Sequence, residues 1–160
     1  MTAPVIREAA PDDVGVILHF INELAIYEKA PEEVKTNAGM IEETLFGPAA
    51  KTRCLIGEIE GEAVGFAVYF SNYSTWLGKY GIYLEDLYVS PEHRGKGVGK
   101  ALLVHIAGIA LDNDCGRFEW SVLDWNTPSI EFYKSLGAVE MSEWRIYRVT
   151  GDALKKLADS

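Results

Sequence analysis

The sequence predicts one domain of mixed α/β class, with an antiparallel run of strands first and alternating helices and strands after it. Four segments before residue 90 have the short apolar runs of strands, and apolar residues recur with the period of a helix after Pro11 and after Gly97. A chain of 160 residues is long enough for one ordinary hydrophobic core and short for two. We therefore expect a single domain over residues 1–160.

The first half of the chain contains the predicted meander. Pro11, Asp12 and Asp13 open a helix, because its first turn lacks backbone acceptors and its dipole favours acids there. The helix buries an apolar stripe made of Val14, Ile17, Leu18, Ile21, Leu24 and Ala25. The other expected elements are a strand at 5–8, a helix from Thr36 or Asn37 to about Phe46, a strand at 52–59, a hairpin turn at 60–62, and strands at 63–73 and 81–89.

The second half begins with a helix from Gly97 or Val98. Its apolar face is predicted to contain Val98, Ala101, Leu102, His105, Ile106 and Ile109, which makes His105 a packed core residue. The elements expected after it are a strand at 117–123, a helix from Asn126 to Leu136, two short strands around Val139 and at 144–149, and a helical turn at 152–157.

Composition excludes several classes of function. The chain has 15 Lys and Arg against 24 Asp and Glu, so its net charge of −9 argues against nucleic acid as the main partner and suits a cationic small molecule, or simply keeps the protein soluble. Cys54 and Cys115 lack the paired spacing of a zinc or redox site, so we expect buried thiols and no metal. No apolar run approaches the roughly 18 residues of a membrane span, and the first residues do not look like a signal peptide, so we expect a cytoplasmic protein without membrane contact.

A glycine-rich turn joins the strand that ends at Val89 to the following helix. It reads Arg94-Gly95-Lys96-Gly97-Val98-Gly99-Lys100, and such turns present backbone N–H groups to an anion. A Walker A loop would need Gly at Arg94 and Ser or Thr at Ala101, and a dinucleotide fingerprint would need Gly at Lys100 or Leu102. The turn therefore predicts a phosphate site of another kind.

The pattern Arg94, Gly97, Gly99 resembles the acyl-CoA pyrophosphate loop of the GNAT superfamily. The strings at 83–99, 123–126 and 129–138, with Glu-Leu-Ala-Ile-Tyr-Glu at 23–28, resemble the spermidine/spermine N-acetyltransferase family over nearly the whole chain. This resemblance implies the GNAT acyltransferase fold, a central twisted mixed sheet flanked by helices. It also implies acetyl-CoA as co-substrate, a small cationic amine as acceptor, and a homodimer.

Acetyl transfer to an amine requires two proton transfers. A lysine-like amine has a pKa near 10.4, so its deprotonation at pH 7 costs about 4.6 kcal/mol, and the departing thiolate needs a donor. Strict alternation along the strand at 81–89 places Tyr83, Glu85, Leu87 and Val89 on one face and Leu84, Asp86 and Tyr88 on the other. Glu85 and Asp86 are then either separate functional groups or charges at the sheet edge.

The resemblance assigns roles to individual positions. Glu85 is expected to take the proton of the amine, directly or through water, and Tyr133, near the start of the helix after Asn126, is expected to protonate the CoA sulfur. The expected cofactor-binding residues are Leu87, Tyr88, Val89, Arg94, Gly95, Lys96, Gly97, Val98, Gly99, Lys100, Asn126, Thr127, Pro128 and Ser129. The expected amine-binding residues are Tyr27, Glu28, Glu85, Glu119, Trp120, Ser121 and Glu143.

One departure bears on the acceptor. Family members that prefer polyamines tend to carry an extra acid where Ser74 stands, whereas the thialysine-acetylating branch resembles the Tyr-Ser-Thr-Trp and Leu-Asp-Trp-Asn strings. This favours thialysine, lysine-like compounds or short diamines over spermidine. Trp76 is expected either to line the amine channel or to pack in the core. The alternatives are a GNAT enzyme acting on a protein lysine or N-terminus, and a CoA-binding module without turnover.

Overall fold

The structure is a computed structural model that describes residues 2–160. It divides into two compact units, the first ending at Ser121 and the second running from Val122 to Ser160. The single domain expected over residues 1–160 stays a prediction.

The first unit is built on a five-stranded sheet in the order β1-β2-β3-β4-β5. Its strands are β1 (Val5–Glu8), β2 (Thr52–Ile59), β3 (Glu62–Ser74), β4 (Lys79–Val89) and β5 (Phe118–Trp120). The first four strands pair antiparallel with their neighbours in the chain, and β5 pairs parallel with β4. The predicted meander and the mixed sheet are confirmed.

The helices of this unit follow the predicted boundaries closely. They are α1 (Val14–Tyr27), which follows a 3-10 turn at Pro11–Asp13, α2 (Ala38–Ile41), which continues as a π turn at Glu42–Phe46, and α3 (Val98–Asp112). Asn37 caps α2, since its side-chain oxygen accepts the Met40 N–H at 3.0 Å. This bond satisfies one of the donors that a helix start leaves without a backbone partner.

One face of the sheet holds a core cluster. Its buried members are Ile17, Phe20, Ile41, Cys54, Ile56, Phe66, Val68 and Tyr88, and the helical stripe of α1 packs against them. Cys54 is a buried free thiol, as expected, whereas the free thiol Cys115 is only partly buried. Burial is the main reason that the pKa of Cys54 rises to about 12.

The N-terminus of α3 lies close to the sheet because Gly57 of β2 has no side chain. A Cβ atom at Gly57 would lie 2.8 Å from Cγ1 of Val98, the first residue of α3. Gly57 pairs with Gly65 of β3, where a Cβ would lie 2.6 Å from the Tyr88 carbonyl oxygen. The missing side chain of Gly57 therefore lets the start of α3 pack on the sheet, and that of Gly65 lets β3 lie close to β4.

His105 is exposed, so its prediction as a packed core residue is wrong. The buried face of α3 is formed by Val98, Leu102, Leu103, Ile106 and Ala110. Compared with the predicted face, the buried face is rotated about the helix axis toward Leu103. His105 therefore lies at the edge of the buried face.

The second unit contains α4 (Thr127–Ser135) and α5 (Gly151–Ala158). The helix α4 starts after Asn126, as predicted, and the Asn126 side chain caps it, but the strands expected around Val139 and at 144–149 are not formed. A β-branched sequence makes a strand only where its backbone finds a partner, and Val139 and Ile146 are instead 80% and 77% exposed. The strand predicted at 117–123 is shortened for the same reason, because β5 pairs with β4 only at Phe118–Trp120.

Candidate active site

Strand β4 contains a β-bulge at Glu85. Asp86 pairs with Val68, whereas Leu84 pairs with the adjacent Tyr69, so Glu85 has no partner on β3. Cross-strand partners share a face, and an extra residue breaks the alternation. The predicted faces of β4 are therefore wrong: Tyr83 lies on the same face as Asp86 and Tyr88.

The bulge belongs to a cluster of three carboxylates, Glu28 just after α1, Glu85 and Asp86. Burial, and then the charges of Glu85 and Glu28, raise the pKa of Asp86 from 3.8 to about 7. Burial and the charge of Glu85 also raise the pKa of Glu28. Within residues 2–160, no ion pair includes any of the three. A cation bound beside these carboxylates would therefore favour their ionised forms and be held by them.

Asp86 is expected to reduce stability as the pH rises. Its pKa is raised in the folded state, so ionisation of Asp86 lowers the free energy of unfolding. This loss of stability is absent below about pH 3.8 and grows until the pH passes about 7. Asp86→Asn should therefore raise the Tm, and by more at pH 8 than at pH 5, in thermal unfolding followed by circular dichroism. Asp159→Asn, at the exposed chain end, is the control. An equal or absent Tm change at the two pH values would contradict the burial of an ionisable Asp86.

The part of β4 after the bulge has an open edge. Only Ile82, Tyr83 and Leu84 pair with β5. Beyond Leu84 no described strand lies on this side of β4, so the backbone of 87–89 can hydrogen-bond an extended ligand in the manner of an added strand. This supports the prediction that Leu87, Tyr88 and Val89 bind the amide-containing arm of acetyl-CoA.

The glycine turn follows a 3-10 turn at Pro91–His93 and leads into α3. Gly95 and Gly97 have φ of 79° and 84°, and a Cβ on either would meet no atom within 4 Å. No side chain caps the start of α3, and Lys96 and Lys100 are exposed. Unpaired N–H groups, the helix dipole and two cations fit the pyrophosphate of acetyl-CoA.

Gly97→Asp is expected to abolish acetyl-CoA binding. The residue caps α3 with a left-handed conformation that disfavours side chains, and a carboxylate there would repel the pyrophosphate. Isothermal titration calorimetry of the folded variant measures the loss. Gly61→Asp, in the β2–β3 turn with φ of 80°, is the matched control. Unchanged affinity in Gly97→Asp would show that the turn does not hold the cofactor.

The predicted amine-binding residues of the first unit lie at two places. Tyr27 and Glu28 end α1 near Glu85, while Glu119 and Trp120 belong to β5 beside β4. Ser121 Oγ and Tyr83 Oη are 2.7 Å apart. Trp76 is 85% exposed, so packing in the core is excluded for it.

The remaining predicted residues belong to the second unit. Asn126 accepts the Ser129 N–H at 3.4 Å, and Thr127, Pro128 and Ser129 form the first turn of α4. Tyr133 lies in the last turn of α4, two residues before its end, rather than near its start. Glu143 lies in the irregular segment between α4 and α5. The roles of Asn126 to Ser129, Tyr133 and Glu143 stay predictions.

Asp86 belongs to the carboxylate cluster, although it is absent from the predicted site residues. The signal was present, since two adjacent acids interrupt an otherwise apolar strand. Strict alternation placed them on opposite faces of the strand, and the bulge that breaks this alternation depends on the pairing with β3.

A mixed sheet whose bulged fourth strand leads into a glycine turn at a helix start fits the acyl-CoA-dependent acyltransferase that the family resemblance implies. A family model described as the acetyltransferase (GNAT) family matches residues 19–138. The chain therefore belongs to the GNAT acetyltransferase family, whose co-substrate is acetyl-CoA.

Similar proteins confirm the predicted resemblance. Thialysine N-epsilon-acetyltransferase of Sus scrofa is 41% identical over 169 residues, which cover 99% of each chain. Spermidine/spermine N(1)-acetyltransferase-like protein 1 of Homo sapiens is 33% identical over 163 residues, 96% of this chain and 23% of that protein. The solved structure of the integron cassette protein VCH_CASS6 of V. cholerae has a TM-score of 0.81 and 28% identity, with 100% of both chains covered.

No helix within residues 2–160 combines the length and apolar character that crossing a membrane requires. The same residues contain no group of three or more His, Cys, Asp or Glu side chains placed to hold a metal ion.

Proposed function

We propose that this protein transfers the acetyl group of acetyl-CoA to a primary amine of a small cationic molecule. The observation that carries the proposal is the cluster of Glu28, Glu85 and Asp86 beside the open edge of β4 and the glycine turn that follows it. The carboxylates attract the ammonium form of the acceptor. The strand edge and the turn hold the acetyl donor.

Acetyl-CoA supplies a thioester, whose carbonyl carbon the neutral amine attacks in a ternary complex and whose thiolate leaves. Glu85 accepts the proton lost by the amine, directly or through one water. The exposure of Glu85 at the bulge supports this role, because the base must reach the acceptor. Tyr133 donates the phenol proton to the thiolate, an assignment that rests on the family resemblance.

The proposed acceptors are thialysine, lysine-like compounds and short diamines. Ser74 is 5% exposed, and its Oγ accepts the Leu77 N–H at 3.2 Å in the β3–β4 turn. The hydroxyl therefore serves the turn and adds no negative charge for a distant amine of a long polyamine. The name of the Sus scrofa relative, a thialysine acetyltransferase, supports the same choice.

A substrate panel tests the proposal. CoA-thiol release from acetyl-CoA is measured with thialysine, lysine, diamines, spermidine, spermine and a lysine-containing peptide. We expect thialysine or a short diamine to give the highest kcat/KM. Turnover only with the peptide would assign a protein acceptor, and tight CoA binding without thiol release for any amine would indicate a binding module.

The cytoplasmic location stays a prediction from the sequence.

We also propose that the protein is a homodimer. Ile146 and Tyr147 are 77% and 87% exposed, in a strand-like sequence that forms no strand within its own chain. Light scattering should give twice the chain mass of 17.7 kDa. Ile146→Lys should shift the measured mass toward that of one chain. A wild-type protein with the mass of one chain at all concentrations would contradict the proposed dimer.

A further inference from the structure

Arg94 connects two parts of the first unit through its side chain. Its guanidinium carbon lies 5.1 Å from the centre of the Tyr27 ring and 5.5 Å from that of the Tyr88 ring. Its Nε donates a hydrogen bond to the Val89 carbonyl oxygen at 2.9 Å. A guanidinium within about 6 Å of an aromatic ring centre is attracted by the ring's quadrupole.

These contacts are additional to the cofactor binding expected of Arg94, which stays a prediction. The residue begins the glycine turn and was predicted to bind the cofactor. In the structure its side chain contacts the last residue of α1 and the end of β4. Arg94 therefore fixes the start of the turn relative to α1 and β4.

Tyr27 lies at the other end of this connection. It is the last residue of α1 and precedes Glu28, whose carboxyl interacts electrostatically with Glu85. A cation held by Glu28 and Glu85 therefore binds one residue away from the ring that Arg94 contacts, and Arg94 is itself the first residue of the glycine turn.

We propose that Arg94 is a positioning residue that couples the amine site to the acetyl-CoA site, so that each substrate binds more tightly when the other is bound. The inference rests on the proposed function and adds the route by which the two sites communicate. Linkage requires the effect to be reciprocal: the factor by which amine raises CoA affinity equals the factor by which CoA raises amine affinity.

The coupling is measured by isothermal titration calorimetry with coenzyme A, which cannot transfer an acetyl group, in the absence and presence of saturating thialysine. A cation–π contact of ordinary strength predicts that thialysine lowers the Kd of CoA by about 2- to 10-fold in the wild type. Titration of thialysine with and without CoA should return the same factor.

Two variants separate coupling from folding and from direct binding. Arg94→Met keeps the length of the side chain and leaves Tyr27 intact, so thialysine should bind to it alone as to the wild type, while the coupling factor falls to about one. Tyr27→Phe keeps the ring and should keep the coupling, whereas Tyr27→Leu should lose it. For both Tyr27 variants the Kd of CoA is measured without thialysine and with thialysine at a concentration that saturates that variant.

The outcomes are distinct from those of the substrate panel. If the wild type turns over amines but shows no coupling, or if Arg94→Met couples the two ligands as strongly as the wild type, the inference is overturned while the proposed function stands. A wild type that neither binds CoA nor releases thiol would overturn the proposed function, and the inference with it.

Discussion

Replacing Tyr133 by phenylalanine is expected to lower kcat by about 100-fold or more, with little change in affinity for acetyl-CoA. The change removes one hydroxyl and keeps the ring, whose centre lies 5.6 Å from the centre of the Phe132 ring in the last turn of α4. If the phenol protonates the departing thiolate, its loss affects the transition state and leaves the bound reactants unchanged. Steady-state thiol release and calorimetry measure the two quantities.

A second tyrosine of the same unit provides the control. Tyr147 is 87% exposed in the irregular segment, so Tyr147→Phe should leave kcat unchanged. An acetyl donor with a poorer leaving group should widen the difference in kcat between Tyr133→Phe and the wild type. Such a leaving group depends more on protonation by the phenol. An unimpaired Tyr133→Phe enzyme would mean that another acid protonates the sulfur.

The sheet was predictable because its signals are local. The bounds of β2 were predicted correctly, and the Glu60-Gly61 turn that follows has the positive φ values of a tight hairpin, 51° and 80°. The Pro11–Asp13 turn and the Asn126 cap likewise depend on residues a few positions apart. Such elements need no knowledge of what they pack against.

The errors have the opposite origin, because each depends on a partner distant in the chain. The segment 144–149 has the composition of a strand, yet strand formation requires hydrogen bonds that no neighbour supplies. His105 satisfies the helical period, but the orientation of α3 is set by contacts such as Val98 against Gly57. Neither the missing partner of segment 144–149 nor the contact of Val98 with Gly57 can be recognised from the period of the sequence.

The candidate site shows the same division. The glycine turn could be predicted, since the positive φ of Gly95 and Gly97 and the following helix are properties of one short segment. The bulge at Glu85 could not, because it is a mismatch in register between β3 and β4. The contact of Arg94 with Tyr27 was also hidden, since 66 positions of chain separate the two residues.

Glu85→Gln is expected to reduce kcat/KM by about 10²- to 10⁴-fold near neutral pH, the range that a positioned proton acceptor supplies. The amide keeps the size of the side chain but accepts no proton from the amine. Removing the charge of Glu85 also lowers the pKa values of Glu28 and Asp86, because that charge raises both. The two carboxylates then stay ionised to lower pH and continue to attract the cation, so the loss should appear mainly in kcat.

The pH dependence and the choice of amine identify the cause of this loss. Raising the pH supplies neutral amine, which needs no base, so activity of Glu85→Gln should recover in part as the pH approaches the pKa of the acceptor. The sulfur of thialysine withdraws electrons and lowers the pKa of the nearby amine, so thialysine should lose less activity than spermidine. Glu62→Gln, at the exposed start of β3, is the charge-matched control and should leave both substrates unaffected. Equal losses for the two amines without recovery at high pH would assign Glu85 a structural role at the bulge.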